Sequence, residues 1–367
     1  MKKVGILTIY DNTNYGNRLQ NYATHKVLQE IGVNSETIIN ETKYNKNNFL
    51  KKIKKYNYNL KAITEKILYR IKKIIYKKYI DKRKKSFLQF NNDNLNFYHT
   101  TINKDFIPSE LSGEFDNFIV GSDQVWNPNA ERISEIDFML FAPKEKNISF
   151  AASFGVSEIS KENIKLYKEG LNNINSISVR EDRGKELVKE ICNKDAVVLI
   201  DPTMLLDKEE WKKVSRQLEK KLPERYILTY FLGKVSNRRK EYVKETAKKH
   251  NLEVVELNSI KDIDYYSIGP SEFIYCIDNA TMIFTDSFHG CVFSVLFDKN
   301  FYIFKREGAN KSMNSRIDTF LSKFKLENRA IEESETVSLE HDYSHCKKTL
   351  DIERKKSINF LKAALDM

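Results

Sequence analysis

Residues 282–297 read MIFTDSFHGCVFSVLF, which joins a strand pattern, a polar turn and a helix pattern. The apolar run at 282–284 is typical of a short buried strand, and the apolar run at 292–297 fits a buried helix. The start of such a helix offers unpaired N–H groups and the positive end of its dipole to phosphate or carboxylate. His289 and Gly290 lie on the turn. We interpret His289 as an acid or base near neutral pH. The alternative is a histidine that only caps or packs the helix.

The chain is long and apolar enough for two globular domains. Its 367 residues exceed the roughly 150 residues of a typical domain, and 41% of its side chains are hydrophobic. No window approaches about 18 uninterrupted apolar residues, and residues 1–3 lead directly into a strand pattern without a secretory signal. We therefore expect a cytoplasmic protein. The cysteines show no CxxC spacing and the histidines are scattered, so we expect free thiols, no bound metal and no cofactor.

Much of the formal net charge of +11 is concentrated in residues 51–85, where lysine and arginine greatly outnumber acidic residues. Apolar residues recur there at helical spacing, which predicts one or two basic amphipathic helices. Such helices can pack their apolar face on their own domain, lie on an anionic membrane surface, or bind nucleic acid. We favour packing on the domain, keep membrane contact open, and expect no nucleic-acid partner.

Strand and helix patterns alternate along the whole chain, which predicts parallel sheets with helices on both faces. The strand patterns cover residues 3–10, 115–120, 148–153, 176–179, 197–200, 226–232, 253–257 and 301–305. We predict an N-terminal domain at 1–172 with a basic helical insertion at about 47–93, a C-terminal domain at 173–340, and a final helix within 341–367 that can return to the first domain. The chain has no G-x-G-x-x-G and no P-loop motif, which argues against an NAD enzyme or a kinase.

The loop after the first strand pattern is a candidate binding loop. Open α/β sheets bind ligands at the carboxyl ends of their strands, and this loop contains Asn14, Tyr15, Gly16 and Asn17. Asparagine and glycine also favour turns for purely conformational reasons. We predict ligand contact here and keep turn formation alone as the alternative.

A second polar loop follows the strand pattern at 115–120. Asp123 can bind a sugar hydroxyl or act as a base, and Trp126 can stack on a sugar ring. The alternatives are that Ser122 and Asp123 only cap a short helix and that Trp126 only fills the core.

Basic residues at strand ends are candidate anion ligands. Arg180 follows the strand pattern at 176–179, from which a guanidinium can bind carboxylate or phosphate through two hydrogen bonds. The alternative is a salt bridge to one of the nearby acidic residues Glu181, Asp182 and Asp201. Arg316 at a predicted helix start and Lys305 at another strand end are further candidates.

Several motifs occur in an order similar to that of the polysaccharide pyruvyl transferase family. The ordered set extends from Val4 to about Leu326 and comprises NYGNRLQNYA, GSDQVWNP, SFAASFG, SVRE, DPTMLL, TDSFHG and SRIDTFL. The resemblance implies two Rossmann-like domains that face each other across a cleft, as in the GT-B glycosyltransferases. It also implies phosphoenolpyruvate as the pyruvyl donor. The acceptor would be a sugar in a surface polysaccharide or its lipid-linked precursor, and the product a ketal.

The resemblance also assigns roles to individual residues. The family's histidine matches His289, and its arginine at the SVRE strand end matches Arg180. Family members are similar in having an arginine two residues before the histidine, where this chain has Ser287. Arg316 or Lys305 would supply that missing charge; otherwise this chain uses another donor.

Ketal formation from an enol phosphate needs a proton for C3, neutralisation of the carboxylate and phosphate charges, and a base for the attacking hydroxyl. We predict His289 as the catalytic acid or base, without a metal. The predicted donor contacts are Arg180, Ser287, Phe288, Gly290, Lys305 and Arg316. The predicted acceptor contacts are Asn14, Tyr15, Gly16, Asn17, Ser122, Asp123 and Trp126.

Two further hypotheses also fit the sequence. One is a GT-B glycosyltransferase that uses a nucleotide sugar. The other is a non-catalytic basic protein that binds membrane or nucleic acid through residues 51–85. For the leading hypothesis, the basic helices are compatible with a lipid-linked acceptor at the inner face of the plasma membrane.

Overall fold

The computed structural model describes residues 1–42, 75–130, 132–260, 262–306 and 315–367. Most of the basic segment predicted at 51–85, and much of the insertion predicted at 47–93, lies outside the described residues. The described chain forms two parallel sheets with helices on both faces, as the alternating sequence pattern predicts.

The first sheet has the strand order β2-β1-β3-β4-β5-β6, with every neighbouring pair parallel. Its central strands β3 and β4 are buried along their whole length, as expected where helices cover both faces. The strands are β1 Lys3–Leu7, β2 Asn34–Thr37, β3 Asn117–Val120, β4 Asn147–Ala152, β5 Ser176–Val179 and β6 Val197–Val198.

The second sheet has the order β10-β9-β7-β8 and is also parallel. Strand β9 is the one predicted from the apolar run at 282–284, and the helix after it begins at Phe288. The strands are β7 Tyr226–Tyr230, β8 Glu253–Leu257, β9 Met282–Thr285 and β10 Asn300–Ile303.

The α-helices of the described residues connect these strands or cover the sheets. They are α1 Tyr15–Glu30, α2 Lys77–Asn94, α3 Leu111–Glu114, α4 Ile164–Asn172, α5 Asp182–Cys192, α6 Lys208–Lys213, α7 Asn237–His250, α8 Ile263–Tyr266, α9 Pro270–Asn279, α10 Phe288–Leu296, α11 Ser315–Phe324 and α12 Ser344–Ala364. None of the helices in this part of the chain combines the length and the apolar character that a membrane span requires.

The division between the two sheets differs from the boundary predicted at 172/173. Strand β5 pairs with β4, and β6 pairs with β5, so both strands belong to the first sheet. The first sheet therefore extends to β6, and the second begins with β7. Arg180, which we predicted on the C-terminal domain, lies at the carboxyl edge of the N-terminal sheet.

Aromatic packing joins the two halves of the chain around Tyr15. Its ring stacks on Phe87 of α2, with centroids 5.2 Å apart, and on Phe273 of α9, at 4.6 Å. Arg83 of α2 donates hydrogen bonds to Tyr15 Oη and to the Tyr266 carbonyl, each at 2.7 Å. The described end of the basic segment thus packs against its own protein.

The last helix, α12, lies against the chain that leaves the first sheet. Arg354 donates hydrogen bonds to the carbonyl groups of Met204 and Leu206, and Lys356 donates to the carbonyl of Val198, each at 2.8 Å. These contacts place α12 beside β6 and the segment after it.

Candidate active site

Charged side chains meet at the carboxyl edge of the first sheet. Asp123 follows β3, Arg180 follows β5 and Asp201 follows β6. His289, from the start of α10 in the other half of the chain, approaches this edge with Nε2 at 3.7 Å from Asp201 Oδ2. All four side chains are buried. A buried group of opposite charges and a histidine at strand ends is typical of a functional site in an open α/β fold.

Arg180 is held between two carboxylates. One Nη atom donates a hydrogen bond to Asp201 Oδ2, and the other lies 3.4 Å from Asp123 Oδ1. Burial alone would lower the pKa of Arg180, but the two carboxylates outweigh burial and raise it above the ordinary value. The alternative that we kept open, a salt bridge to Asp201, is present in the structure. The positive charge of Arg180 is therefore already compensated by protein groups.

Asp201 is the carboxylate on which the cluster converges. Its Oδ1 accepts hydrogen bonds from the N–H and the hydroxyl of Thr203, at 3.0 and 2.7 Å. Its Oδ2 accepts from Ser122 Oγ at 3.0 Å as well as from Arg180. Burial raises the pKa of Asp201, but Arg180 and His289 outweigh burial and hold it far below the usual range. Asp201 is therefore ionised at neutral pH.

His289 sits between Asp201 and the first turn of α1. Its Nε2 atom is buried and has no hydrogen-bond partner among the described residues. On the other side of the ring, a Cβ added to Gly16 would lie 2.0 Å from Nδ1. Gly16 therefore allows an approach between α1 and His289 that no other residue would permit. The structure brings these two predicted site residues into contact.

Asn17 connects the first loop to the second. Its Nδ2 donates to Asp123 Oδ2 at 3.1 Å, and Asn14 caps the helix by accepting from the Asn17 N–H at 3.3 Å. Burial raises the pKa of Asp123, but Arg180, His289 and Arg316 outweigh it and lower the pKa below the ordinary value. Asn14, Asn17 and Asp123 therefore form one hydrogen-bonded group at the edge of the cluster.

Arg316 reaches the same cluster from α11. None of the ion pairs between described residues includes Arg316. When the side-chain amide of Gln124 is oriented with its oxygen toward the guanidinium, this oxygen accepts hydrogen bonds from both Nη atoms of Arg316, at 2.7 and 2.8 Å. Burial, reinforced by Arg180, lowers the pKa of Arg316 to about 10. Arg316 remains protonated at neutral pH, and the charges of Asp123 and Glu181 act on it without forming an ion pair. It lines a cavity of about 20 Å³ with Arg180 and Asp201, which is the space of one or two water molecules.

The predicted donor contacts at the start of α10 have structural partners. Ser287 is the N-cap, and its Oγ accepts from the Gly290 N–H at 3.4 Å. A Cβ on Gly290 would lie 2.4 Å from Thr285 Oγ1, so glycine is required for the close turn. The ring of Phe288 lies 4.6 Å from the guanidinium carbon of Arg180, a cation–π contact. These residues shape the turn that presents His289.

Two aromatic residues predicted to contact the acceptor lie in the core instead. Trp126 is fully buried, its Nε1 donates to the Asp137 carbonyl at 3.0 Å, and its ring stacks on Phe138. Tyr15 is equally buried between α2 and α9. Neither ring has a face open to a sugar, so the core-filling alternative for Trp126 describes the structure.

Lys305 is not part of the cluster. It is exposed and lines a groove between β10 and α11 together with Asp318, Glu332 and Glu335. The nearby carboxylates make this groove a poor place for an anionic donor.

Two residues of the site were not singled out by sequence reasoning for the roles they hold. Asp201 was considered only as a partner for Arg180, although its position directly after a strand pattern was the relevant signal. Arg18 was missed altogether. It is fully buried on α1, donates to Asn17 Oδ1 at 2.6 and 3.1 Å, and its pKa is lowered to about 10 by burial. A charged residue among the apolar positions of a predicted helix could have indicated it.

The arrangement of the sheets is similar to that of solved GT-B structures. The UDP-N-acetylglucosamine 2-epimerase of Rickettsia bellii has 9% sequence identity and a TM-score of 0.52, with 100% of this chain and 97% of that chain covered. The UDP-GlcNAc 2-epimerase of Methanocaldococcus jannaschii has 10% identity and a TM-score of 0.45, with 96% and 93% covered. S. aureus TarM, as a mutant in complex with UDP, has 11% identity and a TM-score of 0.46, with both chains fully covered at 100%. The likeness to the Rickettsia bellii enzyme, together with the two parallel sheets, assigns the fold to the GT-B class.

The family is identified by sequence. Residues 14–307 match the sequence model of the polysaccharide pyruvyl transferases. The chain belongs to this family, and the resemblance of its motifs is thereby confirmed. No curated protein sequence matches the chain.

Proposed function

We propose that this protein transfers the pyruvyl group of phosphoenolpyruvate to a sugar of a cell-surface polysaccharide or its lipid-linked precursor and forms a ketal. One observation carries the proposal beyond family membership. Arg316 is a buried cation that forms no ion pair with a carboxylate among the described residues, and it acts on Asp123 together with His289. A buried cation without a direct ion pair is costly, and an anionic ligand would offset that cost.

In this proposal Arg316 replaces the arginine that relatives have two residues before the histidine. Arg180 cannot serve as the main anion ligand in the arrangement described, because Asp201 and Asp123 already compensate its charge. Arg316 is the remaining guanidinium beside the cavity, and it can bind a carboxylate or phosphate through two hydrogen bonds. The cavity is smaller than phosphoenolpyruvate, so donor binding requires neighbouring side chains to move.

The proposed reaction adds two sugar hydroxyls to C2 of phosphoenolpyruvate, and each proton that moves must have a donor and an acceptor. A sugar hydroxyl forms a bond to C2, and an acid delivers a proton to C3, which becomes a methyl group. A second hydroxyl of the same sugar then replaces phosphate at C2, and the protons of the two hydroxyls go to a base and to phosphate. We assign delivery of the C3 proton to His289.

Asp123, Asn14 and Asn17 are the proposed acceptor contacts. The low pKa of Asp123 keeps it ionised, so it can accept a hydrogen bond from a sugar hydroxyl. Asn17 orients the carboxylate through its 3.1 Å hydrogen bond. Ser122 is better described as a support for Asp201, because its hydroxyl is engaged there.

A glycosyltransferase that uses a nucleotide sugar is the alternative. The likeness to solved GT-B structures concerns the fold alone and favours neither donor. Family membership favours pyruvyl transfer.

The proposal also includes a location in the cytoplasm, at the inner face of the membrane, where a lipid-linked acceptor would be. A flotation assay with anionic vesicles tests the membrane contact, and absence of binding would remove it.

Turnover tests the proposed function. Purified protein is incubated with phosphoenolpyruvate and a panel of oligosaccharide acceptors, and phosphate release is measured alongside mass spectrometry of the glycan. We expect phosphate release that depends on the acceptor, a ketal product, and loss of both in His289→Gln. Turnover of a nucleotide sugar, with none of phosphoenolpyruvate, would refute the proposal and support the alternative.

A further inference from the structure

We propose that Arg83 is a positioning residue that ties residues 11–17, here called the acceptor segment, to the loops of the second sheet. The acceptor segment contains Asn14 and Asn17, whose assignment to the sugar acceptor rests on the proposed function. The statement that Arg83 holds this segment in place does not rest on it, because the order of the segment is measured without substrate.

Each Nη atom of Arg83 bridges the two halves of the chain. Nη2 donates hydrogen bonds to the Thr13 carbonyl and to Asn258 Oδ1, each at 2.8 Å. Nη1 donates to Tyr15 Oη and to the Tyr266 carbonyl, each at 2.7 Å. In both pairs the first acceptor belongs to the acceptor segment and the second to the other half of the chain. A guanidinium can serve all four acceptors because its N–H groups are arranged in a rigid planar fork.

The anchor in the second half of the chain is itself fixed. Asn258 directly follows β8, with a φ of 65°, a left-handed conformation in which asparagine is enriched. Its Nδ2 donates to the Phe231 carbonyl at 3.4 Å, directly after β7. Tyr266 is the last residue of α8. Arg83 is therefore attached to the carboxyl ends of two neighbouring strands and to a helix, not to a single loop.

The surroundings of Arg83 favour bridging over simple filling of space. Arg83 is 3% exposed, and none of the ion pairs between described residues includes it. Its guanidinium carbon lies 4.6 Å from the centre of the Tyr15 ring and 5.1 Å from that of Tyr266, which are cation–π contacts. Neutral oxygen atoms and ring faces thus compensate the buried charge. An apolar side chain would fill this space but would leave the four acceptors without their donor.

The acceptor segment leads directly to the candidate site. Thr13 and Tyr15, both held by Arg83, flank Asn14, which caps α1. The next residue, Gly16, packs so closely on His289 that a Cβ there would lie 2.0 Å from Nδ1. Holding both neighbours of Asn14 therefore fixes the first turn of α1 against the turn that carries His289. Because it acts through this segment, Arg83 is a positioning residue.

Hydrogen exchange measured by mass spectrometry on the full chain, without substrate, tests the proposal. Arg83→Met keeps a long side chain but removes all four hydrogen bonds. We expect amide exchange in residues 13–20 to become at least about 10-fold faster, as for local opening after loss of charge-assisted hydrogen bonds. Helix α4, which packs on α5 away from Arg83, should keep the wild-type rate.

Lys85→Met is the matched control. It makes the same substitution and removes the same charge on the same helix, but at an exposed position. Its exchange in residues 13–20 should equal that of the wild type. Tyr15→Phe removes only the hydroxyl that accepts from Nη1, so it should give a smaller increase; it decides the question if Arg83→Met does not fold. Unchanged exchange of residues 13–20, or an equal increase in α4, would overturn the proposal.

Kinetics separate positioning from general destabilisation. In Arg83→Met we expect the KM for the sugar acceptor to rise by about 10-fold, because the segment must be ordered when the acceptor binds. The Kd for phosphoenolpyruvate should change much less, since Arg316 lies on α11, outside the segment. Equal weakening for donor and acceptor would contradict a role through the acceptor segment. Absence of pyruvyl transfer by the wild type would refute the proposed function and leave the exchange result standing.

Discussion

Arg180 and Asp201 form an ion pair in which the two side chains are 1% and 0% exposed. The pair joins the ends of β5 and β6, and it sits beside His289 from the other half of the chain. A buried charge is tolerated only with compensation, so each partner depends on the other. The ion pair between Arg180 and Asp201 therefore stabilises the ends of β5 and β6 and also supports the candidate site.

Removal of the cationic partner should therefore destabilise the fold. Arg180→Met leaves Asp201 and Asp123 buried without their cation, and we expect the free energy of unfolding to fall by about 3–5 kcal/mol. Urea unfolding measures this change. Arg183→Met is the control, because Arg183 pairs with Glu186 and Glu190 at the surface. It should cost about 1 kcal/mol or less. Equal losses of unfolding free energy in the two variants would show that the buried ion pair contributes no more to stability than the surface one.

The contact between Gly16 and His289 predicts a second effect. Gly16→Ala would place a Cβ 2.0 Å from Nδ1, so the imidazole must move. We expect a loss of about 1–3 kcal/mol in unfolding free energy, as for overpacking, together with loss of turnover. Gly113→Ala is the control, because a Cβ there meets no atom within 4 Å. An active, fully stable Gly16→Ala protein would contradict the described position of His289.

The pH dependence of stability should be set partly by His25. This buried side chain contacts Ser35 Oγ at 2.7 Å and Thr37 Oγ1 at 2.8 Å, and burial lowers its pKa to about 4. The folded state thus favours the neutral ring, whereas the unfolded chain binds a proton near pH 6.5. Its contribution to stability is complete above pH 6.5 and is lost as the pH falls toward 4, by up to about 3 kcal/mol.

Denaturant unfolding of wild type and His25→Gln between pH 7.5 and 4.5 tests this prediction. The unfolding free energy of His25→Gln should fall much less across this pH range than that of the wild type. His99→Gln, at an exposed position, should keep the wild-type slope. Parallel curves for wild type and His25→Gln would refute the assignment.

The sequence predicted the local parts of the site well. The strand and turn of residues 282–297 and the helix after them depend on contiguous apolar runs, and the structure has β9 and α10 there. The fold class follows from the alternation of strands and helices and is confirmed by the two parallel sheets. These features can be predicted from the sequence because they depend on patterns within short windows of it.

The features that depend on pairing between distant parts of the chain could not be predicted from the sequence. Strand β5 looks like any buried strand, and its pairing with β4 is what assigns Arg180 to the first sheet. The sequence likewise does not tell which way Trp126 points, and the structure buries it against Phe138. Asp201 gains its importance from contacts with Ser122 and His289, which are distant in sequence.

Binding of phosphoenolpyruvate to Arg316→Gln tests the central claim most directly. Calorimetry on wild type should show binding, and loss of one charge-assisted contact should weaken it by about 10- to 100-fold. Lys305→Gln removes the same charge from a residue outside the cluster and should bind almost as wild type does. Arg316→Gln also removes the two hydrogen bonds to Gln124, so its free energy of unfolding is measured beside its affinity. No binding to wild type, or equal weakening in both variants, would contradict the assignment of Arg316 as the donor ligand.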